Sequence, residues 1–260
     1  MASTKDPNLI ALSPSSLGTF NDCPRCFVME KATIPGMKGV PRPRGIFPGL
    51  PSGMDSVMKA YHETFRVQKV LPPYLLGQIP GILYPDVAML KKLQFWGTGP
   101  TYETEHRGKK ILLRGAIDEL ILRDDNSCST ADFKTKGSEP KDDNRQYYGT
   151  QLDCYELMLP SKGLVMSSGI AFLIFVWPES QTDPDNPLSP FLQFNFKSKV
   201  YALEAKPERA KAMLLQAADL IIDASAGKDL PEPGPNCEYC KYIVNVDAWK
   251  VTHALLESKK

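Results

Sequence analysis

Three ionisable side chains stand close together in the stretch GAIDELILRDDNSCSTADFKTKG, residues 115–137: Asp118, Asp132 and Lys134. Two carboxylates converging with one amine are suited to holding Mg²⁺ or Mn²⁺ beside a phosphate, because such ions take oxygen ligands from one or two carboxylates and keep waters. The ammonium would orient or deprotonate an attacking water, or offset charge growing on the phosphate. Whether the three meet depends on local structure. Ile111 to Arg123 is rich in β-formers, Asp124-Asp125-Asn126-Ser127 is turn chemistry, and Ser129 to Thr135 returns. A turn centred near Asp125 or Asn126 puts Asp118 opposite Asp132 or one residue away, and cross-strand Cβ atoms are roughly 5 Å apart. Lys134 then shares the face of Asp132, since strands alternate, and Phe133 points into the core. By spacing alone a solvent-facing charged hairpin is the commoner outcome. Glu119 and Lys136 are read as just that.

A second chemical grouping is sulfur. Cys23-Pro-Arg-Cys26 and Cys237-Glu-Tyr-Cys240 are CxxC pairs near opposite ends of the chain. Each pair can offer two thiolates to one metal, and together they make a four-thiolate site for Zn²⁺ or an iron–sulfur cluster. Pro24 and the prolines before Cys237 are expected to hold these knuckles out of helix. The span closed by such a site makes it structural rather than catalytic. Cys128 and Cys154 have no partner at ligand spacing and are read as ordinary cysteines. His106 and His253 are read as surface residues.

The elements that must position these groups are legible as a pattern. Ser13-Pro14 opens a short helix interrupted at Cys23-Pro24. Residues 34–53 hold five prolines and five glycines, a long loop carrying Lys38, Arg42 and Arg44. Met54–Lys69 is a helix with Met54, Val57, Met58, Tyr61 and Phe65 on its apolar stripe. Pro85–Trp96 is a second helix. Strands are expected at Thr101–His106, Ile111–Arg123 and Ser129–Thr135, then a helix over Asp142–Leu159. SGIAFLIFVW, ending at Trp177, suits a strand buried on both faces. TDPDNPLSP is a loop, Phe191–Leu203 a strand, Pro207–Ala226 a helix and Val246–Leu256 a terminal helix. This order describes one α/β domain around a mixed sheet. The chain has 260 residues, 42% hydrophobic, with a formal net charge of +1. That balance is ordinary for a globular protein and leaves nucleic-acid binding to local patches. No apolar run reaches the roughly 18 residues of a membrane span, and MASTKDPNLIALSPSS lacks the apolar region of a signal peptide. An intracellular, cytoplasmic protein is expected.

GAIDEL, then ADFKTKG, then QLDCYELML resemble the RecB-like branch of the PD-(D/E)XK nuclease superfamily. The likeness is to CRISPR-associated and helicase-linked exonucleases with a cysteine-bound iron–sulfur cluster. The resemblance implies a restriction-endonuclease-like core: a central mixed sheet flanked by helices, with the ends of the chain joined at the four cysteines. It implies a single nuclease domain over 1–260, comprising an N-terminal helical portion (13–100), a catalytic sheet and helix (101–206) and C-terminal helices with a cysteine pair (207–260). Asp118 and Asp132 are then metal ligands and Lys134 activates water. His62, in AYHETF, is a further ligand or hydrogen-bonding group, and Gln151 and Tyr155 match a Q-x-x-x-Y element one helical turn apart. Cys23, Cys26, Cys237 and Cys240 would hold a 4Fe-4S cluster or, alternatively, Zn²⁺. The family arrangement of one N-terminal and three C-terminal cysteines is replaced here by two and two. The activity implied is Mg/Mn-dependent hydrolysis of DNA, as an exonuclease on single strands in DNA repair, recombination or CRISPR adaptation, with a helicase or CRISPR adaptation protein as partner. Lys38, Arg42, Arg44, Lys136 and Lys141 are candidate phosphate contacts. A catalytically silent DNA-binding or scaffold subunit is the alternative.

Overall fold

A computed structural model of the protein describes residues 6, 8–33, 49–141, 144–166, 169–179 and 195–257. Lys38, Arg42 and Arg44, the loop at 182–190 and the start of the strand expected from Phe191 lie outside the described residues. Two compact units form. The first takes in 1–14 and 46–212, the second 15–45 and 213–260.

The first unit contains two sheets. One has three strands in the order β1 (Leu9–Leu12), β4 (Lys109–Arg114) and β3 (Thr101–His106). The other has five, ordered β2 (Ile82–Leu83), β5 (Glu119–Leu122), β6 (Cys128–Thr135), β7 (Ile170–Pro178) and β8 (Phe196–Glu204). β6 and β7 run parallel, and the other pairs of the larger sheet are antiparallel. The sheets are mixed and helices accompany them, as an α/β nuclease-like core requires. Ala171 to Trp177 are all buried, so β7 is covered on both faces.

The single strand expected over Ile111–Arg123 is in fact two strands of different sheets. β-propensity alone runs through Gly115, but the backbone there bonds elsewhere: Gly115 donates to the Pro100 carbonyl and Ile117 to that of Leu93. Gly99 makes this approach feasible, since a Cβ there would fall 2.0 Å from the Gly115 carbonyl oxygen. The chain leaves the first sheet at this break and enters the second at Glu119. The following turn is as expected, with Asn126 at φ 63°.

Three helices belong to the first unit: α3 (Gly49–Arg66), α4 (Val87–Gln94) and α5 (Asn144–Met158). α4 starts at an Asp86 cap, whose carboxylate accepts from the Met89 N–H at 2.9 Å. α3 departs from its expected stripe. Met58, His62 and Arg66, four residues apart, form the buried row, while Val57 and Tyr61 are exposed. Phe133, Ile121, Phe172, Ile174, Leu75 and Leu83 pack into one core with Met58, so Phe133 anchors β6 as anticipated. Each such aliphatic or aromatic side chain contributes about 1.5–3 kcal/mol on burial.

The second unit is built from α1 (Pro14–Asp22), α2 (Pro24–Lys31), the greater part of α6 (Pro207–Ser225) and α7 (Glu238–Glu257). α7 starts earlier than the expected Val246. Among the described residues no helix is long and apolar enough to cross a membrane.

Candidate active site and metal centre

β5 and β6 pair with Glu119 opposite Ala131 and Leu120 opposite Thr130. One further step of that register sets Asp118 opposite Asp132. Asp132 and Lys134 then occupy the same face of β6. The geometry brings together Asp118, Asp132, Lys134, Gln151 and Tyr155. Asp118 Oδ2 accepts from the Phe133 backbone N–H at 3.0 Å, which fixes the carboxylate against β6. Asp132 is 1% exposed. Its Oδ1 accepts from Gln151 Nε2 at 2.8 Å. Its Oδ2 is buried, and the Lys134 ammonium presses against it as an ion pair. Lys134 Nζ also donates to Gln151 Oε1 at 3.1 Å and lies 4.9 Å from the Tyr148 ring centroid.

Gln151 and Tyr155 are one turn apart on α5, and Gln151 Nε2 donates to the Tyr155 hydroxyl at 2.5 Å. Gln151 therefore bridges Asp132, Lys134 and Tyr155, holding the acid and the amine in fixed relation. Burial is the main influence on Asp132 and raises it. Lys134 opposes that and Asp118 adds to it, leaving the carboxyl at about 7 against an ordinary 3.8. Burial, with the charges of Asp132 and Asp118, also pushes the Tyr155 phenol well above its usual range, so it stays protonated. Two carboxylates opposite one another, one of them buried, fit a divalent cation. Such an ion would neutralise a pair of like charges, of which Asp132 is shielded from water and Asp118 only in part.

Lys59 is a member of this site that spacing does not reveal. Its ammonium lies 3.4 Å from Asp118 Oδ1 and 2.8 Å from Asp55 Oδ2. Burial works against its charge, but Asp118 and Asp55 outweigh burial and hold its pKa above the usual range. The i,i+4 placement of Asp55 and Lys59 on α3 is a legible signal, but nothing in it indicates Asp118.

His62 stands elsewhere. Its Nδ1 lies 2.9 Å from Glu119 Oε2 and its Nε2 2.6 Å from the Tyr74 hydroxyl. Both ring nitrogens are engaged, and the imidazole meets the Phe133 ring edge-on at 5.0 Å. His62 thus bonds neither Asp118 nor Asp132. Glu119, expected to face solvent, is instead fully buried. It accepts from Arg66 Nη2 at 2.6 Å and from the Leu120 backbone N–H at 2.9 Å. Alternation explains the inversion: Asp118 immediately precedes β5, whose first residue is Glu119, so if one faces the carboxylate centre the other faces α3. Lys136 is half-buried, 5.6 Å from the Tyr148 ring, and Lys141 is exposed.

In the second unit, the four cysteines of the two CxxC pairs place their sulfurs within 4.8 Å of one another. Cys23 lies 3.7 Å from Cys240, and Cys26 lies 3.6 Å from both Cys237 and Cys240. The pairs are not held out of helix. Cys23 caps α2, with Pro24 at its first position, and Cys26 lies in its first turn; Cys237 directly precedes α7 and Cys240 lies in it. Each CxxC thus straddles a helix N-terminus, where free N–H groups favour thiolate charge. Gly234 and Cys26 donate backbone N–H groups to Cys23 Sγ at 3.2 and 3.5 Å. Burial works to raise the Cys23 thiol, but these donors outweigh it and bring it down to about 7. Burial raises Cys240, to about 11. A Cβ at residue 234 would fall 1.9 Å from the Asp22 carbonyl oxygen, so only glycine permits that approach. Cys128 and Cys154 are buried and stand outside the cluster.

The description of the PD-(D/E)XK nuclease superfamily matches residues 66–244, more than half of the chain. The chain belongs to that superfamily. Membership carries a nuclease-type function that uses a divalent metal. Among curated proteins none matches the chain. Among solved structures, the crystal structure of SSO0001 is similar at 15% identity and a TM-score of 0.38, over 93% of this chain and 86% of that one.

Proposed function

We propose that the protein is a Mg²⁺- or Mn²⁺-dependent deoxyribonuclease acting on single-stranded DNA from an end, as a DNA-repair, recombination or CRISPR-adaptation enzyme would. The observation that carries the reading is the convergence of Asp118 with the buried Asp132, whose Oδ2 is ion-paired to Lys134. In this reading Asp118 and Asp132 hold the cation together with a non-bridging phosphate oxygen. Lys134 orients the attacking water, and Gln151 keeps that ammonium in register with Asp132. Tyr155 supports Gln151. His62 acts as a positioning residue through Glu119, the neighbour of Asp118, rather than as a ligand. The two units work as one nuclease domain, chemistry in the first and a structural metal in the second.

For that structural metal the sulfur spacing favours a single ion. Zn–S bonds of about 2.3 Å in a tetrahedron separate sulfurs by about 3.8 Å, close to the 3.6–3.7 Å found between the nearest cysteines. A cubane cluster seats each thiolate on a different iron and spreads the sulfurs well apart. Zn²⁺ is therefore the better fit to this two-plus-two arrangement than the 4Fe-4S cluster implied by resemblance.

The test is degradation of an end-labelled single-stranded oligonucleotide with added Mg²⁺ or Mn²⁺. Asp132→Ala and Lys134→Ala are each expected to lower the rate at least 100-fold, about 2.7 kcal/mol of transition-state stabilisation. Cleavage unchanged by both substitutions would overturn the assignment. Metal analysis of the purified chain, with absorbance near 400 nm, separates one zinc from four irons.

A further inference from the structure

We infer that the end of α4, with Arg114, forms a stacking platform for unpaired bases that leads a single strand to Asp118. The inference rests on the nuclease reading and extends it to substrate recognition.

Val87 to Pro100 reads VAMLKKLQFWGTGP, with two lysines, two large aromatics and no carboxylate. Phe95 is 64% exposed and Trp96 46%. Lys91, Lys92 and Arg114 are exposed as well. The Arg114 guanidinium stands 4.9 Å from the Trp96 ring centroid. It makes no ion pair among the described residues. Two exposed aromatic rings cost solvation, and neither is among the buried core residues. A guanidinium laid over one of them keeps that ring oriented and adds a phosphate-binding charge. Interleaved basic and aromatic residues are how sequence-tolerant single-strand sites are built: bases stack on the rings and cations track the backbone.

The platform is tied to the catalytic strand. Gln94 Nε2 donates to the Asp118 carbonyl oxygen at 2.7 Å, and the Ile117 N–H donates to the Leu93 carbonyl at 3.1 Å. Trp96 lies two residues beyond Gln94, within about 7 Å of chain. Arg114 lies four residues before Asp118 and pairs with Thr101 across β3 and β4. The two segments carrying the rings and the cation thus both converge on the loop that presents the metal-binding carboxylate. A duplex hides its base faces and cannot use such rings, so the occupant is a single strand.

The experiment measures binding of a fluorescein-labelled oligothymidylate and of a matched duplex to the full chain, without added divalent cation. Trp96→Ala is expected to weaken oligothymidylate binding about tenfold, within the range of one lost stacked base, and Trp96→Phe to restore most of it. Arg114→Ala is expected to reduce the salt dependence of binding. Duplex binding should be unmoved by Trp96→Ala. Thermal unfolding of the variants should match the parent, because the rings are exposed. Unchanged oligothymidylate binding in Trp96→Ala and in the Phe95→Ala/Trp96→Ala double variant overturns the platform. If Asp132→Ala still abolishes cleavage, the nuclease reading survives that result. Equal weakening of duplex and single strand also overturns it. Base stacking at Trp96 in a chain that cleaves no DNA would keep the platform and remove the nuclease reading.

Discussion

At the scale of single residues, the centre is governed by the poor solvation of Asp132. Its carboxyl sits at about 7, and the Glu156 carboxyl, raised first by burial and then by Asp153, also reaches about 7. Both folded values lie above those of the unfolded chain. Their stabilising contribution is therefore fully present below about pH 4 and lost as pH rises towards 7. The sign reverses for metal. A divalent ion needs both carboxylates charged, so below about pH 7 binding displaces a proton, and affinity should rise about tenfold per pH unit before levelling off. Calorimetric titration of Mn²⁺ at pH 6 and pH 8 checks this: tighter binding at pH 8, with proton release at pH 6. Added Mg²⁺ should raise the melting temperature more at pH 8 than at pH 6, and Asp132→Asn should remove the difference. A pH-independent affinity would mean that Asp132 is already charged at pH 6.

Elements decide which of two adjacent acids faces the chemistry. The entry into β5 turns Asp118 to one side and Glu119 to the other, and α3 meets Glu119 with His62 and Arg66. This clamp lies under the active strand. Arg66→Met would strand a fully buried carboxylate and should cost about 3–5 kcal/mol, read as a lower midpoint in urea. Adding Glu119→Leu to Arg66→Met should recover much of it, since paired removal leaves no orphan charge. Here the sequence was legible only in part. The strand–turn–strand around Asp124–Ser127 and the shared face of Asp132 and Lys134 are set by local periodicity and followed from residue types, whereas Gln151 and Tyr155 were reached through the resemblance alone. The break at Gly115 did not, because ILLRGAIDELIL keeps β-propensity throughout, and bonds from residues 93 and 100 decide it. Glu119 and Lys59 were hidden for the same reason: a charged residue next to another looks solvated until a helix from elsewhere covers it. The buried Met58–His62–Arg66 row likewise contradicts the apolar stripe of α3, because the core that α3 meets contains a carboxylate.

For the whole molecule, the decisive link joins two places far apart in sequence. Cys23 and Cys26 meet Cys237 and Cys240 across separations of 211 to 217 residues. Closing such a loop removes unfolded-chain entropy worth about 5 kcal/mol in the chain-entropy model. A metal held by all four cysteines would be part of the folded state rather than an addition to it. Cys240→Ser should lose the ion and lower the melting temperature by roughly 10 °C, the shift that several kcal/mol produces in a chain of this size. Asp132→Asn, which touches only the carboxylate centre, should keep the thiolate-bound ion at full stoichiometry. Elemental analysis and thermal melting of the two variants side by side separate the sites. Full metal content and an unshifted melt in Cys240→Ser would show that the four sulfurs do not act together.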